Sequence, residues 1–278
     1  MFNLPIIIDR IVFNYTDNCN LNCKFCYIPF DGVGSGNLEL WKKIIKKCYE
    51  LKPRVIVFAG GDPFYYEDFI LLLDSIENEE ISIQVDTNGL GLNSSYINII
   101  NQKVKLLSLP LDGTREIHGI MRNNSSHFDT VLNWINKLSS VGISIKVNTV
   151  VTALNVYDLN NIAKILNHYP IYKWSLYQFW PIGKCKKHKN EFEISNEIFL
   201  EKTENAKQYF RAIDIEISSI EDRLFSYFFV TSTGNVYVVD KKDIENYIIL
   251  GNIFDNQYLL SLIKHVDLDR ISMRAGLR

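Results

Sequence analysis

Between Ile11 and Phe179 the chain alternates short apolar runs with segments of helical periodicity, and no other feature constrains its fold as strongly. Ile11–Thr16, Val55–Ala59, Ile81–Thr87, Leu106–Leu111, Ile143–Val151 and Tyr172–Phe179 read as strands. Leu38–Leu51, Tyr66–Ile76, Tyr96–Asn101, Phe128–Val141 and Leu159–Leu166 read as the helices between them. Val55–Ala59 is almost wholly apolar, which suits a strand covered on both faces of a parallel sheet. Leu38, Trp41, Ile44, Ile45 and Cys48 share one helical face, so Cys48 belongs to the core. Strand–helix–strand connections of this kind pair strands in parallel. Six units do not fill an eight-stranded barrel. The expected fold class is therefore α/β, a partial (β/α)6 TIM-like barrel over residues 1–183.

Residues 184–278 have a different character. Lys184–Asn190 is a basic link and Glu197–Arg211 reads as helix. Ile213–Ile217, Tyr227–Thr233, Val236–Val239 and Tyr247–Leu250 read as strands, with a hairpin signal at Thr233-Gly234-Asn235. The expectation is a small C-terminal α+β extension that caps the open barrel.

Bulk properties exclude several classes of function. The chain has 278 residues, 47% hydrophobic and 22% charged, an ordinary globular balance that argues against disorder. A net charge of −2 gives no electrostatic reason to expect a nucleic-acid partner. No apolar stretch approaches the ~20 residues of a membrane span, and MFNLPIIIDR lacks the pattern of a signal peptide. Five cysteines, three of them in one short segment, make poor disulfide arithmetic and suit a reducing compartment, the cytoplasm.

In parallel α/β folds, chemistry gathers at the C-terminal ends of the strands. Every motif of chemical character falls there. Gly60-Gly61-Asp62-Pro63 follows the second strand, Thr87-Asn88-Gly89 the third, Asp112-Gly113 the fourth and Trp180–Gly183 the sixth. After the first strand comes CNLNCKFCY, which places Cys19, Cys23 and Cys26 in a C-x3-C-x2-C pattern ahead of Tyr27. Three thiolates on one loop can each take one iron of a 4Fe–4S cube, leaving the fourth iron open to another ligand. A zinc site would need a fourth ligand at a recognisable offset.

The triplet with its following aromatic residue resembles that of the radical S-adenosylmethionine (SAM) superfamily. Gly60–Pro63, Asp86–Gly89, Leu111–Gly113 and Ile145–Val150 follow it in the order that superfamily requires. The resemblance runs from about Ile11 to about Gly183. It implies a 4Fe–4S cluster on Cys19, Cys23 and Cys26 and SAM as second cofactor, chelated at the open iron. It also implies reductive cleavage to a 5′-deoxyadenosyl radical that abstracts hydrogen from a substrate, with an electron donor such as flavodoxin or ferredoxin. By the same resemblance the Tyr27 backbone contacts the adenine, and Gly60, Gly61, Asp62 and Pro63 hold the methionine amino group. Thr87 and Asn88 contact the ribose or substrate, Arg122 pairs with the SAM carboxylate, and Gln178 and Trp180 pack near the adenine. Asp62 stands where the superfamily usually has Glu, and Pro110 where it often has Ser.

Further residues are candidates for the reaction, each with an ordinary structural alternative. Lys146 is a charge inside an apolar strand and needs an anionic partner if it points inward; pointing outward, it would snorkel. His118 lies near the same mouth, as a substrate ligand, a proton donor or a packed core histidine. Cys185 sits among Lys184, Lys186 and Lys187, whose charges would lower its pKa and suit a thiol that returns a hydrogen atom; an idle loop thiol is the alternative.

Three functional readings stay open. The first is a radical enzyme acting on a small anionic molecule, nucleotides included. VNTVVTALNV and the following KWSLYQF resemble viperin-like nucleotide dehydratases, although Tyr15 stands where prokaryotic members carry His. The second is modification of a ribosomally made precursor peptide. The short segment before the first strand and the single cysteine after Cys48 favour the small molecule over the peptide. The third is a 4Fe–4S redox protein that never cleaves SAM.

Overall fold

The computed structural model describes residues 7–28, 36–77, 80–211 and 214–276. Its strands are β1 Arg10–Thr16, β2 Val55–Gly60, β3 Ser82–Asp86, β4 Leu106–Pro110, β5 Ile145–Val151, β6 Lys173–Gln178, β7 Asp214–Ser218, β8 Phe229–Thr231, β9 Asn235–Val239 and β10 Tyr247–Asn252. Among the described residues they form one sheet in the order β10-β9-β8-β1-β2-β3-β4-β5-β6-β7. Pairing is parallel from β8 through β1 to β7, and antiparallel from β8 to β9 and from β9 to β10. The six expected strands are the middle of this sheet, an open parallel α/β core of the partial-barrel kind.

The period-two alternation of β1 shows how the layers arise. Ile11, Phe13 and Tyr15 point to the helical layer and pack with Trp41, Ile44 and Phe69 in the main core. Arg10 and Val12 point inward. Trp41, Ile44, Ile45 and Cys48 are the buried face of the helix Leu38–Glu50, which Asn37 caps by accepting from the Leu40 N–H at 3.0 Å. Each fully buried aliphatic side chain of this layer contributes about 1.5–3 kcal/mol relative to exposure, so the helical layer holds the sheet curved around its inner face.

The tail, expected as a small extension that caps the barrel, is continuous with the core sheet. Its strands extend the core sheet at both edges, β7 beside β6 and β8 beside β1. The strand expected from Ile213 is described from Asp214 onward, residue 213 lying outside the described residues; the MFNLPI portion of the N-terminus lies outside them as well. The hairpin at Gly234 is present, with φ +85° at that glycine. The last helix, Leu268–Arg274, packs beside the N-terminal ends of β1 and β2. There Arg54, at the start of β2, donates to the Ser272 carbonyl at 2.8 Å, and Ala275 packs on the inward-facing Val12, Val55 and Val57. The turn before β10 reaches the opposite end, where Trp180 Nε1 donates to the Ile244 carbonyl at 2.9 Å.

Candidate active site

The sheet encloses a cavity of about 690 Å³ that opens at the C-terminal strand ends, a volume in the range of small-molecule sites. Cys19, Cys23 and Cys26 stand on its wall, as do Tyr27, Gly60, Gly61, Thr87, Asn88, Arg122, Gln178 and Trp180. Asp62, Pro63, His118, Lys146 and Cys185 do not line it.

Backbone contacts set the position of the cysteine loop. Gly61 N–H donates to the Thr16 carbonyl at 2.6 Å and Asp62 N–H to the Asn18 carbonyl at 2.9 Å. Glycine is required at both positions of the turn. A Cβ on Gly60, whose φ is +119°, would stand 2.1 Å from Thr16 O, and one on Gly61 would stand 2.0 Å from Asn18 O. These glycines admit the end of β1 and the start of the cysteine loop, and both also line the cavity.

Asp62 performs a related task from beneath. Its fully buried carboxylate accepts from Phe64 N–H at 2.9 Å, from the Thr87 hydroxyl at 2.8 Å and from Asn88 N–H at 2.6 Å. Burial pushes its pKa up to about 6, against the pull of those three donors. It joins the β2 turn to the β3 turn and does not face the cavity, which differs from the expected methionine contact. Asn88 then reaches the loop, donating to Asn20 Oδ1 at 2.7 Å and to Cys19 Sγ at 3.3 Å.

On the far side of the loop, Arg122 donates to Asp112 Oδ2 at 2.6 Å and approaches Cys23 Sγ at 3.8 Å. Its guanidinium lies over the Phe25 ring, 5.0 Å from the centroid. Asp112 is fully buried and also accepts from Val150 N–H at 2.9 Å. Arg122 thus has a resident carboxylate partner and keeps one edge on the cavity.

His118 joins these two supports. Asp112 N–H donates to its Nδ1 at 3.0 Å, its Nε2 lies 2.8 Å from His127 Nδ1, and His127 Nε2 lies 2.8 Å from the Asn88 carbonyl. The accepting Nδ1 places the His118 proton on Nε2, so both imidazoles are Nε2–H tautomers donating in one direction toward Asn88. Burial holds His118 down to about 2 and His127 to about 4, both neutral. His118 is therefore a positioning residue, away from the expected role of substrate ligand or proton donor.

Three other expectations change. Lys146 points inward but its Nζ donates to the Tyr177 hydroxyl at 2.7 Å and lies 3.6 Å from Glu216, so a protein carboxylate supplies its partner. Gln178 spends its amide on the backbone, donating to the Ile194 carbonyl at 3.3 Å and accepting from Ile220 N–H at 2.9 Å. Cys185 is buried, its thiol directed at the carbonyls of Trp180 and Ile182 at 3.3 and 3.1 Å. Burial pushes that thiol up to about 11, opposite to the expected direction. The physical reason is the turn Gly183–His188, which folds the sulfur inward and leaves Lys186 outside, 3.6 and 3.5 Å from Asp243 and Glu245. Sequence reasoning missed Arg10, Arg223 and Arg274, which also line the cavity. Arg10 carried the one available signal, since it starts a strand in which alternate residues face inward.

The donor set fits an iron–sulfur cube. Among the described residues no three His, Cys, Asp or Glu side chains converge as a single ion would require. All three thiols stand on the cavity wall, and a cube takes each on a different iron. Burial raises Cys19 to about 11 and raises Cys23, so iron binding would release protons from them.

An inward-opening parallel α/β sheet with three thiols on the first strand–helix loop defines a cluster-binding barrel. A family model for the radical SAM superfamily matches residues 13–167, and the chain belongs to that superfamily, whose cofactors are a 4Fe–4S cluster and S-adenosylmethionine. It is 27% identical over 210 residues to an S-adenosylmethionine-dependent nucleotide dehydratase of Flammeovirga pacifica, covering 70% of this chain and 71% of that one. It is 25% identical over 185 residues to a cysteine-type anaerobic sulfatase-maturating enzyme of Clostridium novyi, and spans 49% of that relative's length, 60% of its own. Among solved structures, anSMEcpe with bound AdoMet superimposes with a TM-score of 0.70 at 17% identity, covering 97% of this chain and 83% of that one. Streptococcus suis SuiB bound to precursor peptide SuiA gives 0.71 at 14% identity, covering 83% and 59%. These two likenesses establish the fold. No described helix is long and apolar enough to cross a membrane.

Proposed function

We propose that the protein is a radical SAM enzyme acting on a small anionic molecule, with a nucleotide as the leading class. The observation that carries this reading is the charge of the cavity. Arg10, Lys24, Arg122, Lys184, Lys187, Arg223 and Arg274 line it; among the described residues the lining carboxylates are Asp17 and Asp86, with Asp112 and Glu216 paired to Arg122 and Arg274 behind the wall. The chain as a whole carries −2, so the positive charge is concentrated there. Cations in a water-poor cavity stabilise an anionic ligand far more than they would in bulk water. The likeness to a nucleotide dehydratase over most of both chains supports the same class.

In this reading Cys19, Cys23 and Cys26 would hold the cluster, and SAM bound to it supplies a primary carbon radical on reduction by a flavodoxin or ferredoxin. The protein's own part is positioning and exclusion of water. Asn88 and Arg122 fix the two ends of the cysteine loop. Trp180, held by the Ile244 carbonyl, and Tyr27, whose own carbonyl accepts from the Tyr247 hydroxyl at 3.4 Å, form the rim. The test is a panel of nucleotides and short peptides given to the anaerobically reconstituted protein with SAM and dithionite. A nucleotide is expected to raise 5′-deoxyadenosine formation above the substrate-free rate and to raise the thermal midpoint by mass action. A panel in which only peptides do so would replace this substrate class with the peptide one.

A further inference from the structure

We propose that Arg223 and Arg274, supplied by the tail beyond the matched superfamily region, form the subsite that grips the oxyanion group of the substrate. This rests on the small-anion reading of the same cavity. Both guanidinium groups lie against one ring, with their carbons 5.7 and 5.9 Å from the Tyr177 centroid, and both line the cavity.

Their surroundings are short of negative charge. Arg223 is 8% exposed, lies 5.3 Å over the Trp180 ring and donates to the carbonyls of Ser219 and Gln178. Among the described residues no carboxylate lies within ion-pair distance of it. Arg274 donates to the Ser218 hydroxyl at 3.0 Å and the Tyr227 hydroxyl at 3.1 Å. Its carboxylate, Glu216 at 3.5 Å, is shared with Lys146 at 3.6 Å. Arg274 and Lys146 thus share Glu216, and Arg223 beside them has no carboxylate of its own among the described residues. Burial, and secondarily the Arg274 charge, hold Arg223 below its ordinary pKa.

Buried like charges with too few counter-charges are costly to hold unless a further anion joins them. A phosphate or carboxylate can take the guanidinium N–H groups that these contacts leave over and would add the missing charge. The arrangement beside them sets the rest of the ligand. Tyr227 and Phe229, stacked at 5.1 Å, both line the cavity, with Tyr237 packed behind Phe229 at 4.9 Å, which gives an aromatic stretch of wall suited to a planar group. The ligand class is therefore a planar moiety that carries a phosphate or carboxylate. The tail, in this account, selects the substrate while the superfamily core performs the shared chemistry.

The probes are inorganic tripolyphosphate and citrate, titrated by calorimetry against the reconstituted holoenzyme. Wild type is expected to bind at least one of them, and the tighter one tells phosphate from carboxylate. Arg223→Gln and Arg274→Gln are each expected to weaken that binding at least tenfold, with iron content and thermal midpoint as controls of folding. Arg223→Lys and Arg274→Lys keep the charge and lose the fork, and should weaken it at least threefold even where a Gln variant does not fold. Failure of wild type to bind either probe at millimolar concentration, or equal binding by wild type and the folded variants, overturns the subsite. The subsite and the substrate class fail separately. Nucleotide-stimulated 5′-deoxyadenosine formation undiminished in Arg223→Gln removes the subsite alone. Stimulation by peptides alone, with probe binding still lost on changing Arg223, removes the nucleotide and keeps the subsite.

Discussion

Replacing Asp62 by alanine tests the claim that this residue supports the cysteine loop from beneath. The change strips the acceptor from three donors at once: Phe64 N–H, the Thr87 hydroxyl and Asn88 N–H. A buried donor left without a partner costs about 1–3 kcal/mol. Rotation of the Thr87 hydroxyl and loss of the carboxylate's own burial cost offset part of the sum. A net destabilisation of about 3–5 kcal/mol is expected. Denaturant unfolding of the metal-free protein, read by tryptophan fluorescence, measures it. Thr87→Ala should be non-additive with Asp62→Ala, with a coupling of about 0.5–3 kcal/mol because the two share a bond. Asn88 would lose its anchor and with it the contact to Cys19 Sγ, so iron retained after reconstitution should also fall. A folded Asp62→Ala protein destabilised by less than about 1 kcal/mol and loaded with iron like wild type would refute the reasoning.

Further outcomes follow from the same geometry. Gly61→Val should lose cluster loading together with SAM binding, because its Cβ would strike Asn18 O in the cysteine loop; full iron content in the folded variant would contradict this. Asp112→Asn should cost about 3–5 kcal/mol in denaturant unfolding, since it leaves the Arg122 guanidinium buried without its carboxylate; a change near zero would remove the pair from the account. His118 and His127 are held neutral at about 2 and about 4, below the ordinary 6.5. The unfolded chain therefore takes up more protons than the folded one as pH falls below about 6.5. Asp62, raised to about 6 from 3.8, acts in the opposite sense, its ionisation costing stability as pH rises through that window. With two histidines against one aspartate, metal-free stability should fall from pH 7 to pH 5, and His127→Gln should flatten the slope; an unchanged slope would show that His127 does not titrate in this way.

The sequence shows those parts of the site that are local. The Val55–Gly60 strand, the cysteine triplet and the Gly60-Gly61 turn are each contained in a few residues, and their periodicity and spacing survive into the structure. What the glycines approach is a tertiary matter, because Thr16 and Asn18 come from a different strand–loop unit. The His118–His127 pair depends on two helices packing side by side, and no spacing rule announces it. The surroundings of Cys185 differ from those its sequence neighbours imply for a related reason. Neighbouring lysines in sequence need not neighbour the sulfur once a tight turn places them on opposite sides. That the tail strands join the core sheet is likewise a tertiary matter, because their partners are β1 and β6, far away along the chain. Arg223 and Arg274 lie in short helices without a motif, and only the tertiary fold brings both onto Tyr177.

The central claim is that Cys19, Cys23 and Cys26 hold a cluster that cleaves SAM inside this cavity. The most direct measurement is 5′-deoxyadenosine formed from SAM and dithionite by the anaerobically reconstituted protein, run beside Cys23→Ala, Cys48→Ala and Cys185→Ala. The account predicts product with wild type, Cys48→Ala and Cys185→Ala, and none with Cys23→Ala. A wild-type protein that holds its iron yet forms no 5′-deoxyadenosine, or a Cys23→Ala protein that forms as much as wild type, would contradict it.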